Sequence, residues 1–284
     1  MSYLQILILA IIQGACELLP VSSSAHVIVA EKLMGLNPSS PEMMMLLVML
    51  HTGTMFAVIV YFWKSWKRDY FSSGPVAEDF IKQVVVATVV TVVLGYGLKF
   101  AIEKFFMRGV PHAEIEDLFS NLPLIAGALA AVGILIIYAG FHEEKAPRVG
   151  NVGFFHSIVI GIVQGLCLPF RGFSRSGSTI SAGLILGLPK RKLEEYSFAL
   201  AVVLTPLVIG WEGKRLLKDP AVKGHGLVHL FTPSLVGLVF SFLAGLVALK
   251  WLSSWLEGGR WKFFGFYCLV AAAVVLVVHF KLGA

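Results

Sequence analysis

Gln13-Gly14-Ala15-Cys16-Glu17-Leu18-Leu19-Pro20-Val21-Ser22-Ser23-Ser24-Ala25-His26 interrupts an otherwise apolar stretch that runs from residue 3 to residue 36. Proline removes a backbone donor and disfavours the helical conformation of its predecessor, so a helix ends before Pro20. The serines that follow are good N-caps for a second helix. The shape implied is helix, polar turn, helix. A non-helical turn at membrane depth is tolerated only where protein or a wet cavity surrounds it, so the pair reads as a re-entrant hairpin. Residues 153–188 repeat the pattern: Gln164-Gly165-Leu166-Cys167 is followed by Pro169 and by Arg171-Gly172-Phe173-Ser174-Arg175-Ser176-Gly177-Ser178-Thr179.

The rest of the chain supports a membrane setting. Of 284 residues, 57% are hydrophobic and 14% charged, against about 25% charged in a soluble domain. Mean hydropathy is +0.82. Too few polar residues are present to cover a water-facing globule. Apolar runs of about 20 residues, enough to cross a bilayer, fall near 42–63, 83–102, 122–141, 195–211, 234–255 and 262–281. The start, 1–19, lacks a basic leader and a small-residue cleavage site, so it reads as structure rather than a removable signal. The expected fold is all-α: a polytopic helical membrane protein of about six full spans plus two re-entrant hairpins. It forms a single integral membrane domain over 1–284, with halves of about 1–141 and 153–281. Three spans lie between the hairpins, an odd number, so the second enters from the opposite face and the halves form an inverted-topology repeat with the polar turns meeting near the midplane.

The net charge of +6 sits at the ends of apolar runs, where basic residues anchor to headgroups and set topology, and nucleic-acid binding is discarded. Leaving Arg171 and Arg175 aside, twelve Lys and Arg fall on the side of the 64–82 loop and nine on the other. The bias makes that loop cytoplasmic and places both termini outside. Cys16, Cys167 and Cys268 lie inside apolar runs without C-x-x-C spacing and are read as packing residues. His51, alone in an apolar run, is read the same way.

Two clusters carry chemistry. Glu17 is costly in an apolar segment and Gln13 lies one turn before it on the same face, which makes the carboxylate a functional candidate. Ser22, Ser23 and Ser24 open a helix whose free N–H groups favour an anion, and His26 follows one turn on. A hydroxyl beside a carboxylate and an imidazole has the parts of an activated nucleophile. In the second cluster Arg171 and Arg175 fall between apolar helices, which is expensive without a partner anion. Arginine binds phosphate through a planar fork, Gly172 lets backbone N–H groups approach, and Ser174, Ser176 and Thr179 add hydroxyl donors. Phosphate is the expected ligand. Gly172 to Thr179 has a Walker-A-like spacing, but the lysine is replaced by Ser178 and no strand precedes it, so a nucleotide P-loop is rejected.

Taken together, Gln13-x-x-x-Glu17, Pro20-Val21-Ser22-Ser23 with His26, and Gly172-Phe173-Ser174-Arg175-Ser176-x-x-Thr179 resemble the undecaprenyl-pyrophosphate phosphatase family, also known for bacitracin resistance. The resemblance covers essentially the whole chain and departs from the family pattern at Arg171, where the family has proline. It implies a phosphatase of the bacterial cytoplasmic membrane that converts the C55 lipid pyrophosphate to the monophosphate carrier used in cell-wall synthesis. It also implies a divalent cation, Mg²⁺ or Ca²⁺, and a site open to the outer face. On this reading Glu17, Ser23, His26 and Arg175 are catalytic, with Glu17 the metal ligand. Gln13, Ser22, Ser24, Arg171, Gly172, Ser174, Ser176 and Thr179 bind substrate. Ser23, His26 and water all stand as nucleophile, Glu17 and His26 as base, and a homodimer is left open. The rival reading is a small inverted-repeat secondary transporter or lipid flippase for an anionic substrate, since broken helices meeting at the midplane are also a transporter design.

Overall fold

The computed structural model describes residues 1–38, 40–107, 115–143, 150–218 and 227–282, and every regular element among them is helical. In order they are α1 (Tyr3–Leu18), α2 (Ser23–Leu33), α3 (Pro41–Asp69), α4 (Gly74–Ala101), a π turn (Ile102–Phe106), a 3₁₀ turn (Ile115–Ser120), α5 (Leu122–Glu143), α6 (Phe154–Cys167), α7 (Arg175–Ile185), α8 (Lys190–Lys218), α9 (Leu227–Glu257) and α10 (Trp261–Leu282). Six helices are long and apolar enough to cross a membrane, at Pro41–Asp69, Gly74–Phe105, Leu122–His142, Lys190–Gly210, Phe231–Glu257 and Trp261–Lys281. They coincide with the six apolar runs. Most extend past them because a helix continues into flanking polar residues that hydropathy does not count. The chain is therefore a multi-pass helical membrane protein.

The short helices behave as the broken stretches require. The 16 residues of α1 and the 11 of α2 measure about 24 and about 17 Å at 1.5 Å per residue, less than a hydrocarbon core of about 30 Å. The pair α1/α2 packs on itself, and so does α6/α7. Element lengths recur across the chain: α3 and α8 both have 29 residues, and α5 and α10 both have 22. Packing recurs too, with an exchange. Helix α1 packs on α9 and its counterpart α6 packs on α4, so each hairpin is seated on the other half. Both contacts are close because glycine faces backbone: a Cβ on Gly14 would lie 2.5 Å from the Ser241 carbonyl oxygen, and one on Gly161 2.7 Å from that of Ala87.

At one end of the bundle Asp69 at the close of α3 faces Arg191 and Lys192 at the start of α8, at 3.8 and 3.9 Å, and Lys190 Nζ donates to the Glu257 carbonyl. These contacts gather the 64–82 side, the α8 start and the α9 end at one pole. Arg108, Lys145, Arg148 and Lys223, which enter the charge bias above, lie outside the described residues.

Candidate active site

The two turns meet. Ser176 Oγ, on the second, donates to the Leu19 carbonyl on the first at 3.3 Å. Between them lies a cavity of about 240 Å³ whose walls include Glu17, Ser22, Ser23, Ser24, Arg171, Ser174, Arg175 and Ser176.

Glu17 stands at the end of α1, where the helix presents Gln13 one turn behind it. Gln13 Nε2 donates to Glu17 Oε2 at 3.1 Å, and Ser23 Oγ donates to the same oxygen at 2.5 Å. The second carboxylate oxygen lies 3.7 Å from Arg175 Nη2. One carboxylate thus links a hydroxyl from the first turn to a guanidinium from the second. Ser22, just before α2, has φ 67° and ψ 95° and is the one non-glycine with positive φ among the described residues. Its side chain caps none of the first-turn amides of α2, and its Oγ instead meets Ser24 Oγ at 3.2 Å. The open helix start is thereby left to face an anion.

The second turn is built differently. Gly172 has φ +102° and lies so close to α5 that a Cβ would sit 2.5 Å from the Ile125 carbonyl oxygen. Ser174 is a true cap, accepting from the Gly177 amide at 3.2 Å. Arg175 Nη1 donates to the Ser197 carbonyl at 3.3 Å, and Ser197 Oγ shares a 2.7 Å hydrogen bond with Thr179 Oγ1. Thr179 is buried and lies outside the cavity wall; it fastens α7 to α8 and so fixes the arginine. Arg171 reaches the cavity with its guanidinium over the Phe119 ring, 4.5 Å from the centroid.

His26 is turned away from the cavity. Its Nδ1 donates to the Ser22 carbonyl at 2.8 Å, and its Nε2 accepts from the Tyr267 hydroxyl on α10 at 2.8 Å, with the two rings stacked. It is not among the side chains that line the cavity. The imidazole that does line it is His51 on α3, which sequence reading assigned to packing, and Cys16 lines it as well. Ser197, Tyr267 and His51 carry no local motif, and no sequence signal marks them.

A smaller chamber of about 120 Å³ adjoins the first and is walled mainly by apolar side chains from α2, α3 and α8. Beyond it an apolar groove of about 660 Å³ runs between α4 and α8. Among the described residues no three His, Cys, Asp or Glu side chains cluster into a closed cation cage. The donors that fit a hard cation are the Glu17 carboxylate with the oxygens of a bound phosphate ligand, since Mg²⁺ is usually held by one or two carboxylates plus substrate phosphates.

Residues 6–274 match the family model described as bacitracin resistance protein BacA. The chain is 57% identical over 282 residues, 98% of each chain, to a protein named undecaprenyl-diphosphatase 2 from Acinetobacter baylyi. It is 30% identical over 280 residues to the undecaprenyl-diphosphatase of Desulfitobacterium hafniense, covering 95% of this chain and 94% of that one. With the undecaprenyl-diphosphatase of Bacteroides fragilis it shares 29% identity over 286 residues and 98% of each chain.

Proposed function

Because the chain belongs to the bacitracin resistance protein BacA family, we propose that it hydrolyses undecaprenyl diphosphate to undecaprenyl phosphate and inorganic phosphate. This activity returns the lipid carrier to cell-wall synthesis and, as the family name states, confers bacitracin resistance. The observation that carries the chemistry is Ser23 Oγ donating to Glu17 Oε2 at 2.5 Å within a cavity that Arg175 closes from the other side.

In this reading the diphosphate head enters the polar cavity while the polyprenyl tail stays among the helices. Ser23 Oγ attacks the terminal phosphorus and Glu17 Oε2 takes its proton. The bond from that phosphorus to the bridging oxygen breaks, and the lipid monophosphate departs with the oxygen. Water then cleaves the phosphoserine, regenerating the hydroxyl and releasing inorganic phosphate. Arg175 and the amides at the starts of α2 and α7 stabilise the charge on the phosphoryl oxygens. A divalent cation, Mg²⁺ or Ca²⁺, held by Glu17 and the diphosphate, would neutralise part of that charge. His26, with both ring nitrogens engaged elsewhere, serves to hold the Ser22 backbone rather than to move the proton. The halves form an inverted repeat, a reading supported by the recurring helix lengths and by the seating of each hairpin on the opposite half. The protein sits in the bacterial cytoplasmic membrane with the site open to the exterior.

The test is inorganic phosphate release from a polyprenyl diphosphate by purified protein in detergent, with Mg²⁺, Ca²⁺ or EDTA. Metal-dependent release supports the reading. Folded protein that binds the lipid and releases no phosphate would shift the assignment to the transporter class.

A further inference from the structure

Three cavities adjoin, and their falling polarity sets an order. The polar cavity and the small chamber have Ser23, Ser24, His51 and Arg171 in common. The large groove shares Val208 with the small chamber and Leu168 with the polar cavity. Polarity falls along this path, from serines and arginines, through Val27, Leu47 and Val48, to the Val92 and Leu204 walls of the groove. A lipid diphosphate has the same sequence of chemistries: terminal phosphate, lipid-side phosphate, first isoprene units, remaining tail. Placing the terminal phosphate between Ser23 and Arg175 puts the lipid-side phosphate at the seam of the first two chambers.

His51 stands at that seam. Its Nδ1 donates to the Leu47 carbonyl at 2.8 Å, one turn back on α3. This bond fixes the ring and leaves Nε2 as the nitrogen available to a ligand. Both ring nitrogens are donors in the protonated imidazole, so the Leu47 bond persists when Nε2–H is presented to an anion. Arg171, which also lines both chambers, is braced by Phe119.

We propose that His51 contacts the lipid-side phosphate through Nε2–H and that the small chamber takes the first isoprene units on their way to the groove between α4 and α8. His51 then distinguishes a lipid diphosphate from a phosphate without a tail. The inference rests on the phosphatase reading above.

The two product types serve as separate probes. Inorganic phosphate reports the subsite beside Arg175, whereas farnesyl phosphate, with its tail in the small chamber, reports the seam. Inhibition constants for both would be measured against lipid diphosphate turnover by the full chain in detergent. His51→Ala is expected to raise the constant for farnesyl phosphate about tenfold or more, the size of a lost hydrogen bond to a charged group. The constant for inorganic phosphate should change by less than about twofold, which also shows that the deep site is folded. His51→Gln, which keeps an N–H donor, should recover most of the loss. Val48→Trp, which narrows the small chamber, should weaken farnesyl phosphate alone. Equal shifts for both probes in His51→Ala, or no shift for farnesyl phosphate, would overturn the proposal. Absence of phosphate release by the wild type would instead overturn the phosphatase reading on which it stands.

Discussion

The two polar turns share a frame of helix, break and helix, yet they solve the same backbone problem in opposite ways. At the second turn the left-handed position is given to Gly172, and Ser174 spends its hydroxyl on an ordinary cap. At the first turn a serine is forced to positive φ, no side chain caps α2, and an imidazole holds the Ser22 carbonyl from the next turn. Non-glycine residues held in such regions cost about 1–3 kcal/mol and persist where their surroundings over-determine them. Here the surroundings are His26 and, behind it, Tyr267. The strained turn is the one that carries Ser23 and keeps its helix start open; the relaxed turn carries Arg175. The glutamines repeat the lesson. Gln13 supports Glu17, whereas its counterpart Gln164 is buried against α4 and donates to Thr91 Oγ1 at 3.0 Å. The glutamine of the first stretch faces the cavity's carboxylate, and that of the second fastens α6 to α4.

This division can be broken from either side. The largest effect is expected at the first turn: Ser23→Ala and Glu17→Gln should each lower kcat by on the order of 10²–10⁴, read as phosphate release with melting temperatures near wild type. Next comes the cation of the second turn. Arg175→Ala should cost one charge-assisted contact, roughly 1.5–3 kcal/mol, or about tenfold to over a hundredfold in rate. Backbone substitutions should then move stability in opposite directions. Gly172→Ala places a Cβ against the Ile125 carbonyl at strained φ and should cost about 1–3 kcal/mol in a detergent melt. Ser22→Gly relieves about 1–3 kcal/mol of strain against a loss of about 0.4–1 kcal/mol to unfolded-chain entropy, so its melt should stay level or rise by up to about 2.5 kcal/mol. The smallest effect belongs to the brace. Tyr267→Phe removes one neutral hydrogen bond to His26, about 0.5–1.5 kcal/mol, and should slow phosphate release a few-fold while leaving inorganic phosphate inhibition unchanged.

Much of this was legible in the sequence, for stated reasons. Six spans follow from apolar runs, because in lipid only helices satisfy the backbone within one segment. The two hairpins follow from Pro20 and Pro169 with the serines behind them. The meeting of the two turns was readable from the odd number of spans between them, and their polar residues stood out by their cost in apolar surroundings. The direction of His26 was not, because its partner Tyr267 lies 241 residues away and nothing local marks it. Thr179 was read as a substrate ligand and its bond to Ser197 escaped for the same reason: the contact depends on how α7 lies against α8. His51 was hidden by its own neighbourhood, since a single histidine among methionines and leucines reads as packing until α3 is set beside both turns.

The central claim is that the two turns form one catalytic unit through Glu17. A double-mutant cycle of Ser23→Ala and Arg175→Ala, read as kcat/KM for phosphate release from a polyprenyl diphosphate, tests it most directly. Groups acting as a unit are strongly non-additive, so the double variant should be little worse than Ser23→Ala alone. Losses that multiply, with each substitution costing the same in the presence and absence of the other, would mean that the turns act independently and would contradict the account.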